Sequence, residues 1–246
     1  MRWQYAGRSD VGKVRQGNED ALFADEARGV FIVADGMGGH VAGEVASQIA
    51  TEMVGPGVSR AVEQGLRGED LQERALELIE EANRAIMERA DNEPEKRGMG
   101  TTVTLLALMP GSRYLFQQVG DSRGYLFRDG ALTQITRDHT VVQQQVDRGA
   151  LAPEQARDHP LSHILTRALG TEFDVETDTY SDEVKVGDIF LLCSDGLSGM
   201  LPDEEIKRIL LSPTGDVQQM ADGLVDAANE AGGLDNITAL VVKVLP

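Results

Sequence analysis

The chain has 246 residues, of which 41% are hydrophobic and 26% charged, so it can bury a substantial core and is not expected to be disordered. Its 23 Lys and Arg residues against 41 Asp and Glu residues give a net charge of −18, which argues against nucleic acid and anionic lipid as partners. A single cysteine, Cys193, excludes an intramolecular disulfide and favours a reducing compartment, so we expect a cytoplasmic protein.

Short apolar runs, several of them rich in β-branched or aromatic residues, predict strands, and helical periodicity predicts two pairs of helices. The predicted strands are 30–34, 102–109, 114–119, 125–128, 131–135, 189–193 and 237–244, and the predicted helices are 43–54, 69–90, 203–211 and 216–230. Several strand connections are too short for parallel crossovers, so the sheets should be largely antiparallel and the fold α+β. Without a linker or repeat, we expect a single domain over 1–246. No signal peptide or apolar run of membrane-spanning length is present, so no membrane contact is expected from this chain.

Four aspartates stand next to predicted apolar strands. Asp35, Asp121 and Asp195 each follow one, and Asp235 precedes the last. An Asp-Gly pair alone is most often a hairpin turn, and Asp129-Gly130, with alternating strands on both sides, is predicted to be only that. Asp35 and Asp195 are instead followed by further glycines and a helix. Their turns are therefore expected to face a site.

Carboxylates that converge at strand ends repel one another unless a cation compensates them. Oxygen ligands without a His/Cys cluster indicate magnesium, manganese or calcium rather than zinc, and the first two suit catalysis better. Upstream, Arg15 precedes Glu19 and Asp20. An arginine can bind phosphate oxygens through two hydrogen bonds, and acids beside it can hold metal-bound waters, although such a segment can also be plain surface.

Six segments then stand in a fixed order along the chain. They are Arg15 with Asn18-Glu19-Asp20, Asp35-Gly36-Met37-Gly38-Gly39-His40, Gly100-Thr101-Thr102, Gly120-Asp121-Ser122-Arg123-Gly124-Tyr125, Cys193-Ser194-Asp195-Gly196-Leu197 and Asp235-Asn236-Ile237-Thr238. In order and spacing they closely resemble the metal-dependent type 2C (PPM-type) serine/threonine protein phosphatase family, and the second segment resembles its bacterial branch. The match covers nearly the whole chain.

The resemblance implies a central β-sandwich of two antiparallel sheets flanked by pairs of α-helices, in four αββα layers. It implies a hydrolase of bacterial signalling that removes phosphate from phosphoserine and phosphothreonine, by attack of a water that bridges two divalent metals. Phosphorylated proteins, including Ser/Thr protein kinases or their substrates, are then the expected partners. The chain is expected to act as a monomer.

The resemblance also implies a role for each site residue. Asp35 would bridge two Mn²⁺ or Mg²⁺ ions, the Gly36 carbonyl would bind one of them, and Asp195 and Asp235 would complete the other. Asp121, with Asp195, matches the position of a third and weaker metal. The other expected roles are phosphate binding by Arg15 and the orientation of metal-bound waters by Glu19 and Asp20.

The chain departs from the family pattern at Met37, where many members have a histidine that protonates the leaving group. His40 or a metal-bound water could take this role; we favour water because His40 is displaced by three residues. His40 could equally brace its loop through a local hydrogen bond. The polar segment at 138–165, with His159 and His163, resembles the family's mobile flap beside the cleft, which would influence substrate choice, or it is an ordinary surface excursion.

Three other classes of protein are alternatives to a type 2C phosphatase. A cysteine-dependent phosphatase needs an arginine six residues after the nucleophile, but Gly199 stands there relative to Cys193, so this class is excluded. A scaffold that has lost turnover usually lacks a metal aspartate, and none is missing here. An unrelated metal-dependent hydrolase stays open until substrates are compared.

Overall fold

Residues 2–38, 42–109, 113–157, 159–212 and 215–246 are described in a computed structural model. Its strands are β1 (Arg2–Asp10), β2 (Asp20–Asp25), β3 (Val30–Met37), β4 (Gly100–Thr101), β5 (Val103–Met109), β6 (Arg113–Val119), β7 (Arg123–Arg128), β8 (Ala131–Gln134), β9 (Asp178–Glu183), β10 (Ile189–Cys193) and β11 (Ile237–Leu245). Its helices are α1 (Ala42–Glu63), α2 (Gly68–Asn92), α3 (Val141–Asp147), α4 (Pro153–Ala156), α5 (Asp195–Ser198), α6 (Asp203–Leu210) and α7 (Val217–Glu230), with a 3₁₀ turn at Pro94–Lys96.

The strands form two sheets in which neighbouring strands pair antiparallel. The first sheet has the order β1-β11-β10-β7-β8, and the second has the order β2-β3-β5-β6-β9, with β4 paired to the end of β3. The predicted antiparallel sheets and α+β fold are confirmed. Because β10 and β11 are neighbours in one sheet and β3 lies in the other, the strands next to Asp195, Asp235 and Asp35 can meet at one end.

Three apolar clusters hold the layers together. Large side chains such as Phe31, Phe116 and Phe190 fill the space between the sheets. Helices α1 and α2 bury their apolar faces on the second sheet, and α6 and α7 bury theirs on the first. The structure is therefore the expected four-layer sandwich, in which each sheet has one face covered by helices and the other by the opposite sheet.

Helix α1 is longer than predicted. The predicted helix ends at residue 54, but α1 continues through Pro56 to Glu63. A side chain at position 55 would lie 2.5 Å from the Phe23 ring, and one at position 57 would lie 2.6 Å from Leu78. The missing side chains let α1 pack closely on β2 and α2, and this packing outweighs the cost of about 3 kcal/mol for a proline inside a helix.

The short strand β4 and the edge strands β1, β2 and β9 were not predicted. Strand β1 pairs with β11 over nine residues, yet most of its side chains are exposed or half-buried, and β2 and β9 are similar. Main-chain pairing to a buried neighbour fixes such strands, so their side chains need not alternate. The predicted hairpin at Asp129-Gly130 is confirmed: both residues have positive φ, 51° and 79°, between paired Arg128 and Ala131.

Strand β10 contains the only cysteine of the sequence. Cys193 is fully buried, and burial raises the pKa of its thiol to about 12. It packs as a small core residue among the side chains under α6 and α7. Among the described helices, none is both long and apolar enough to cross a membrane.

Candidate metal centre

The aspartates predicted as ligands reach one end of the sandwich from four places in the chain. Asp35, Asp121, Asp195 and Asp235 all line one cavity of about 240 Å³. Asp195 opens α5 after β10, and Asp121 and Asp235 flank β6 and β11. The sequence suggested that Asp35 lies in a bend after its strand. Instead β3 continues to Met37, because its last two residues pair with β4.

Asp20 lies opposite Asp35 in the pairing of β2 with β3. Its Oδ2 accepts hydrogen bonds from Ser194 Oγ at 2.7 Å and Thr238 Oγ1 at 2.6 Å. Its Oδ1 is buried and has no hydrogen-bond partner within the described segments. Two hydroxyls thus fix the carboxylate in one orientation and leave one oxygen able to accept a further donor or a cation.

Burial and mutual repulsion disfavour the charged form of these carboxylates. Burial, then repulsion by Asp20 and Asp195, holds the pKa of Asp35 well above its ordinary value. The pKa of Asp121 and that of Asp195 are also raised, mainly by burial. Burial raises the pKa of Asp20 to about 7 despite its two hydroxyl donors. A set of buried carboxylates that repel one another favours a multivalent cation.

Glycines let the segments that carry these carboxylates approach one another. A side chain at Gly36 would lie 2.6 Å from the Glu19 carbonyl oxygen, and one at Gly196 would lie 2.9 Å from the Asn236 carbonyl carbon. The Gly36 N–H donates to the Glu19 oxygen at 3.1 Å. Backbone therefore packs on backbone where β3 and α5 meet the N-terminal segment and β11.

Thr102 connects Asp35 to the Asp121 turn. Its Oγ1 accepts a hydrogen bond from the Asp35 N–H at 2.9 Å and lies 2.6 Å from Ser122 Oγ. Its own N–H donates to the Asp35 carbonyl at 2.9 Å. The sequence pointed to the Gly-Thr-Thr segment only through its resemblance to a motif; the structure gives it a contact on each side of the cavity.

Asn236 is a second residue without a predicted role. Its Oδ1 accepts from the Glu19 N–H at 2.8 Å, and its Nδ2 donates to the carbonyls of Val11 at 3.0 Å and Gly17 at 2.9 Å. This side chain therefore fastens the segment that carries Arg15, Glu19 and Asp20 to the start of β11. Its place next to Asp235 was the only clue in the sequence.

Arg15 lies at the rim of the cavity. Its Nη2 donates to Asp235 Oδ2 at 2.6 Å, and its side chain is 52% exposed. The predicted phosphate-binding arginine and a predicted metal ligand are thus in contact. Glu19 also lines the cavity.

The segment 138–165 lies beside the candidate site and encloses a second cavity of about 550 Å³ against α5 and α6. Asp121, His163 and Asp195 line both cavities, so the two are continuous. Arg157 Nη2 donates to the Gly199 carbonyl at 3.1 Å, and Thr140 pairs with Leu165 at the base of the segment. The predicted flap is thus tied to the body at its base and near its tip.

The structure describes two of the three residues that bear on the leaving-group proton, Met37 and His163. Met37 lines the cavity and cannot donate a proton. His40 lies outside the described residues. His163 does reach the cavity, although nothing in the sequence had singled it out as an acid.

Within the described parts of the chain, no three His, Cys, Asp or Glu side chains already form a metal-binding set. Asp235 forms an ion pair with Arg15, and Asp20 accepts hydrogen bonds from two hydroxyls. The donor chemistry nevertheless fits a hard divalent cation: the cavity walls carry carboxylate oxygens, one buried oxygen of Asp20 is unsatisfied, and like charges lie close together.

Comparison with known proteins gives a consistent result. Residues 10–238 match the model of the family described as Protein phosphatase 2C. The chain is 43% identical over 242 residues to the serine/threonine protein phosphatase PstP of Mycobacterium tuberculosis, covering 98% of this chain but 45% of that protein. It is 40% identical over 239 residues to the serine/threonine phosphatase Stp of Listeria monocytogenes, covering 96% and 94%. The chain thus spans about half the length of the mycobacterial relative and nearly all of the listerial one.

Solved structures agree with the sequence comparison. A crystal structure of the M. tuberculosis phosphatase PstP/Ppp superposes with a TM-score of 0.92 at 41% identity and covers all of both chains. The catalytic domain of PstP in complex with two manganese ions superposes with a TM-score of 0.86 at 40% identity, covering 99% of both chains.

Proposed function

Because the chain belongs to the protein phosphatase 2C family, we propose that it is a metal-dependent protein phosphatase that hydrolyses phosphoserine and phosphothreonine esters. The observation that carries the proposal is the convergence of Asp35, Asp121, Asp195 and Asp235 on one cavity with Arg15 at its rim. Buried anions that repel one another provide a site for cations, and the arginine provides a site for the phosphate.

Two core divalent ions, Mn²⁺ or Mg²⁺, fit the carboxylates best, and the manganese-bound relative supports this assignment. Asp35 would contact both ions, the Gly36 carbonyl one of them, and Asp195 and Asp235 the other. When bound, such a pair supplies a bridging water of lowered pKa and positive charge opposite the phosphoryl oxygens.

The chain's own residues would orient the substrate and the ligands. Arg15 would release Asp235 and turn its guanidinium to two phosphoryl oxygens, which is feasible because the side chain is half exposed. Asp20 is held by Ser194 and Thr238, so its free Oδ1 would accept from a water next to the metals, and Glu19, the residue before it, would do the same.

A third ion at Asp121 and Asp195 is proposed to bind more weakly. Burial raises the pKa of Asp121 overall, but Arg123 lies close enough to favour the charged form of this carboxylate. That positive charge also opposes a cation at the same carboxylate, so this ion should dissociate first.

Phosphorylated proteins are the proposed partners, among them Ser/Thr protein kinases or their substrates, and the chain would act as a monomer in the cytoplasm. The relatives' description as serine/threonine phosphatases supports the substrate class. The single buried cysteine is compatible with a reducing compartment.

The test is a panel of phosphoserine, phosphothreonine and phosphotyrosine peptides with nucleotides and sugar phosphates, each measured with manganese and with chelator. We expect hydrolysis of the first two peptides, loss of activity with chelator and recovery with manganese. A folded sample without chelator-sensitive activity would indicate a scaffold. Faster hydrolysis of nucleotides or sugar phosphates would indicate an unrelated hydrolase.

A further inference from the structure

His139 is a buried histidine outside the group of predicted ligands. It forms two hydrogen bonds with Gly120, the residue before Asp121. The backbone N–H of His139 donates to the Gly120 carbonyl at 2.9 Å, and its ring Nδ1 accepts from the Gly120 N–H at 3.1 Å. Only 6% of the residue is exposed. Both polar groups of the Gly120 backbone are therefore bonded to one residue.

Gly120 cannot be positioned through a side chain of its own. Its φ is +100°, and an added side chain would lie 2.5 Å from Thr102 Cγ2. On the sandwich side, Gln118 Nε2 donates to the same carbonyl at 3.0 Å. The direction in which the chain enters Asp121 is thus set by Gln118 from within the sandwich and by His139 from the flap side.

The hydrogen bonds also define the tautomer of the ring. A backbone N–H always donates, so Nδ1 must be the unprotonated nitrogen and the ring proton lies on Nε2. Nε2 is 3.3 Å from Asp178 Oδ2, which also accepts from the Tyr180 hydroxyl at 3.2 Å. Arg167 Nη1 lies 3.2 Å from Nε2 and donates to Asp178 Oδ1 at 2.8 Å. Asp178 therefore accepts hydrogen bonds from three donors. Because one of them is the proton on Nε2, Nδ1 stays unprotonated and can accept a hydrogen bond.

The same residue touches the base of the flap. Its carbonyl accepts from the Thr166 N–H at 2.8 Å, and Thr140, next in the chain, pairs with Leu165. Both ends of the segment 138–165 therefore meet at His139. A displacement of the flap base would move the Gly120 backbone with it.

We propose that His139 is a positioning residue: through Nδ1 it places Asp121 relative to Asp195 and couples the base of the flap to that placement. This inference rests on the proposed role of Asp121 in holding the weaker metal. It assigns a function to the imidazole acceptor itself and not merely to a well-packed ring.

The test compares His139→Asn with His139→Gln. An Asn side chain places its Oδ1 near the position of Nδ1 and can still accept from Gly120, whereas Gln reaches the Nε2 position and leaves the Gly120 N–H unbonded. We expect His139→Asn to retain most of kcat. We expect His139→Gln to lose roughly ten- to a hundredfold in kcat, with little change in KM, and to need more manganese for half-maximal activity.

Two readouts do not depend on turnover. Manganese titration calorimetry should show the weakest site further weakened in His139→Gln and kept in His139→Asn. Nitrogen NMR should show an unprotonated Nδ1 in the wild type and a large shift of the Gly120 and Asp121 amides only in His139→Gln. These two measurements report on positioning even if the wild type hydrolyses none of the phosphopeptides.

Two results would overturn the proposal. One is equal loss in the two variants, in step with their thermal stability, because that outcome means a purely structural ring. The other is a His139→Gln variant with wild-type kcat, weak-site affinity and Asp121 amide shift.

Discussion

At Asp35 burial and charge repulsion act together, because Asp20, Asp195, Asp121 and Asp235 all act on its charge. We expect Asp35→Asn to lower kcat by at least about a hundredfold, since one ligand is lost from a preorganised site. Without metal, the Asp35→Asn variant should be no less stable than the wild type, because asparagine removes a carboxyl group whose charged form burial and four neighbouring aspartates disfavour. Steady-state kinetics with manganese and urea unfolding with chelator measure the two effects.

The matched control is Asp129→Asn, because it makes the same change in an Asp-Gly pair that forms only a hairpin. Asparagine tolerates the positive φ at this position, so activity and stability should stay unchanged. Wild-type turnover in Asp35→Asn would remove Asp35 from the metal site.

His163 provides a test of the leaving-group proton. We propose that this proton comes from water in the cavity, so His163→Ala should lower kcat by less than about fivefold, and equally for p-nitrophenyl phosphate and a phosphothreonine peptide. Loss of a side-chain acid would instead slow the peptide selectively, because its alkoxide is the poorer leaving group. The ratio of the two kcat values, compared with wild type, decides between water and His163.

For single residues, local motifs predicted the carboxylates of the candidate site but not the residues that position them through hydrogen bonds. Asp35 and Asp195 carry recognisable neighbours along the chain. Asn236, by contrast, acts on carbonyls 219 and 225 positions away, and Thr102 acts on Ser122 across two strands. Such roles depend on which strands are neighbours, and a short segment of sequence does not contain that information.

Among the elements, the flap offers the clearest test. Arg157 ties it to α5 through the Gly199 carbonyl, and the cavity of about 550 Å³ lies beneath. We expect Arg157→Ala to raise KM for a phosphopeptide about three- to tenfold while KM for p-nitrophenyl phosphate stays the same. A small substrate needs only the inner cavity, whereas a peptide must also pass the flap.

Kinetics on both substrates measure this difference. Arg208→Ala serves as the control, because it removes a surface arginine whose hydrogen bonds among the described residues go to Glu205 of its own helix. Equal changes for the two substrates would contradict a role of the flap in binding peptides.

Buried strands were predictable as short apolar runs, and amphipathic helices were predictable because their apolar residues repeat with the helical period. The edge strands β1, β2 and β9 were not, because partners in the sheet and not their own side chains hold them. Helix α1 passed its apparent stop at Pro56 for the same kind of reason, since Phe23 and Leu78 fill the space that its glycines leave. Tertiary packing outweighed local preference in each case.

For the whole molecule, the buried carboxylates predict an unusual dependence of stability on pH. Asp20 has a pKa of about 7 in the folded protein against about 3.9 in an unfolded chain. The folded state therefore binds more protons between these values, and without metal the free energy of unfolding should fall as pH rises from about 4 to about 7. Asp35, Asp121 and Asp195 act in the same direction. The lowered pKa of His139 opposes this trend, and so do the lowered pKa values of Asp10, Glu93, Asp178 and Glu205, but these four carboxyl groups titrate mostly near or below about pH 4.

Manganese should reverse the loss, because it binds the folded state and favours the charged carboxylates. At a hundred times its Kd, one site adds about 2.7 kcal/mol. Urea unfolding at pH 5, 6 and 7.5, with chelator and with manganese, measures both effects. Stability that rises with pH in the chelated protein would contradict the mutual repulsion of these groups.

The burial of Cys193 has a consequence for oxidative stress. A thiol with a pKa of about 12 and no exposed surface is almost entirely protonated at neutral pH, so peroxide and alkylating agents find almost no thiolate to attack. Phosphatases that depend on a cysteine nucleophile stop working when that cysteine is oxidised. The proposed phosphatase activity uses no cysteine and should persist under the same conditions, so a cell would keep this dephosphorylation running while thiol-based enzymes are silenced.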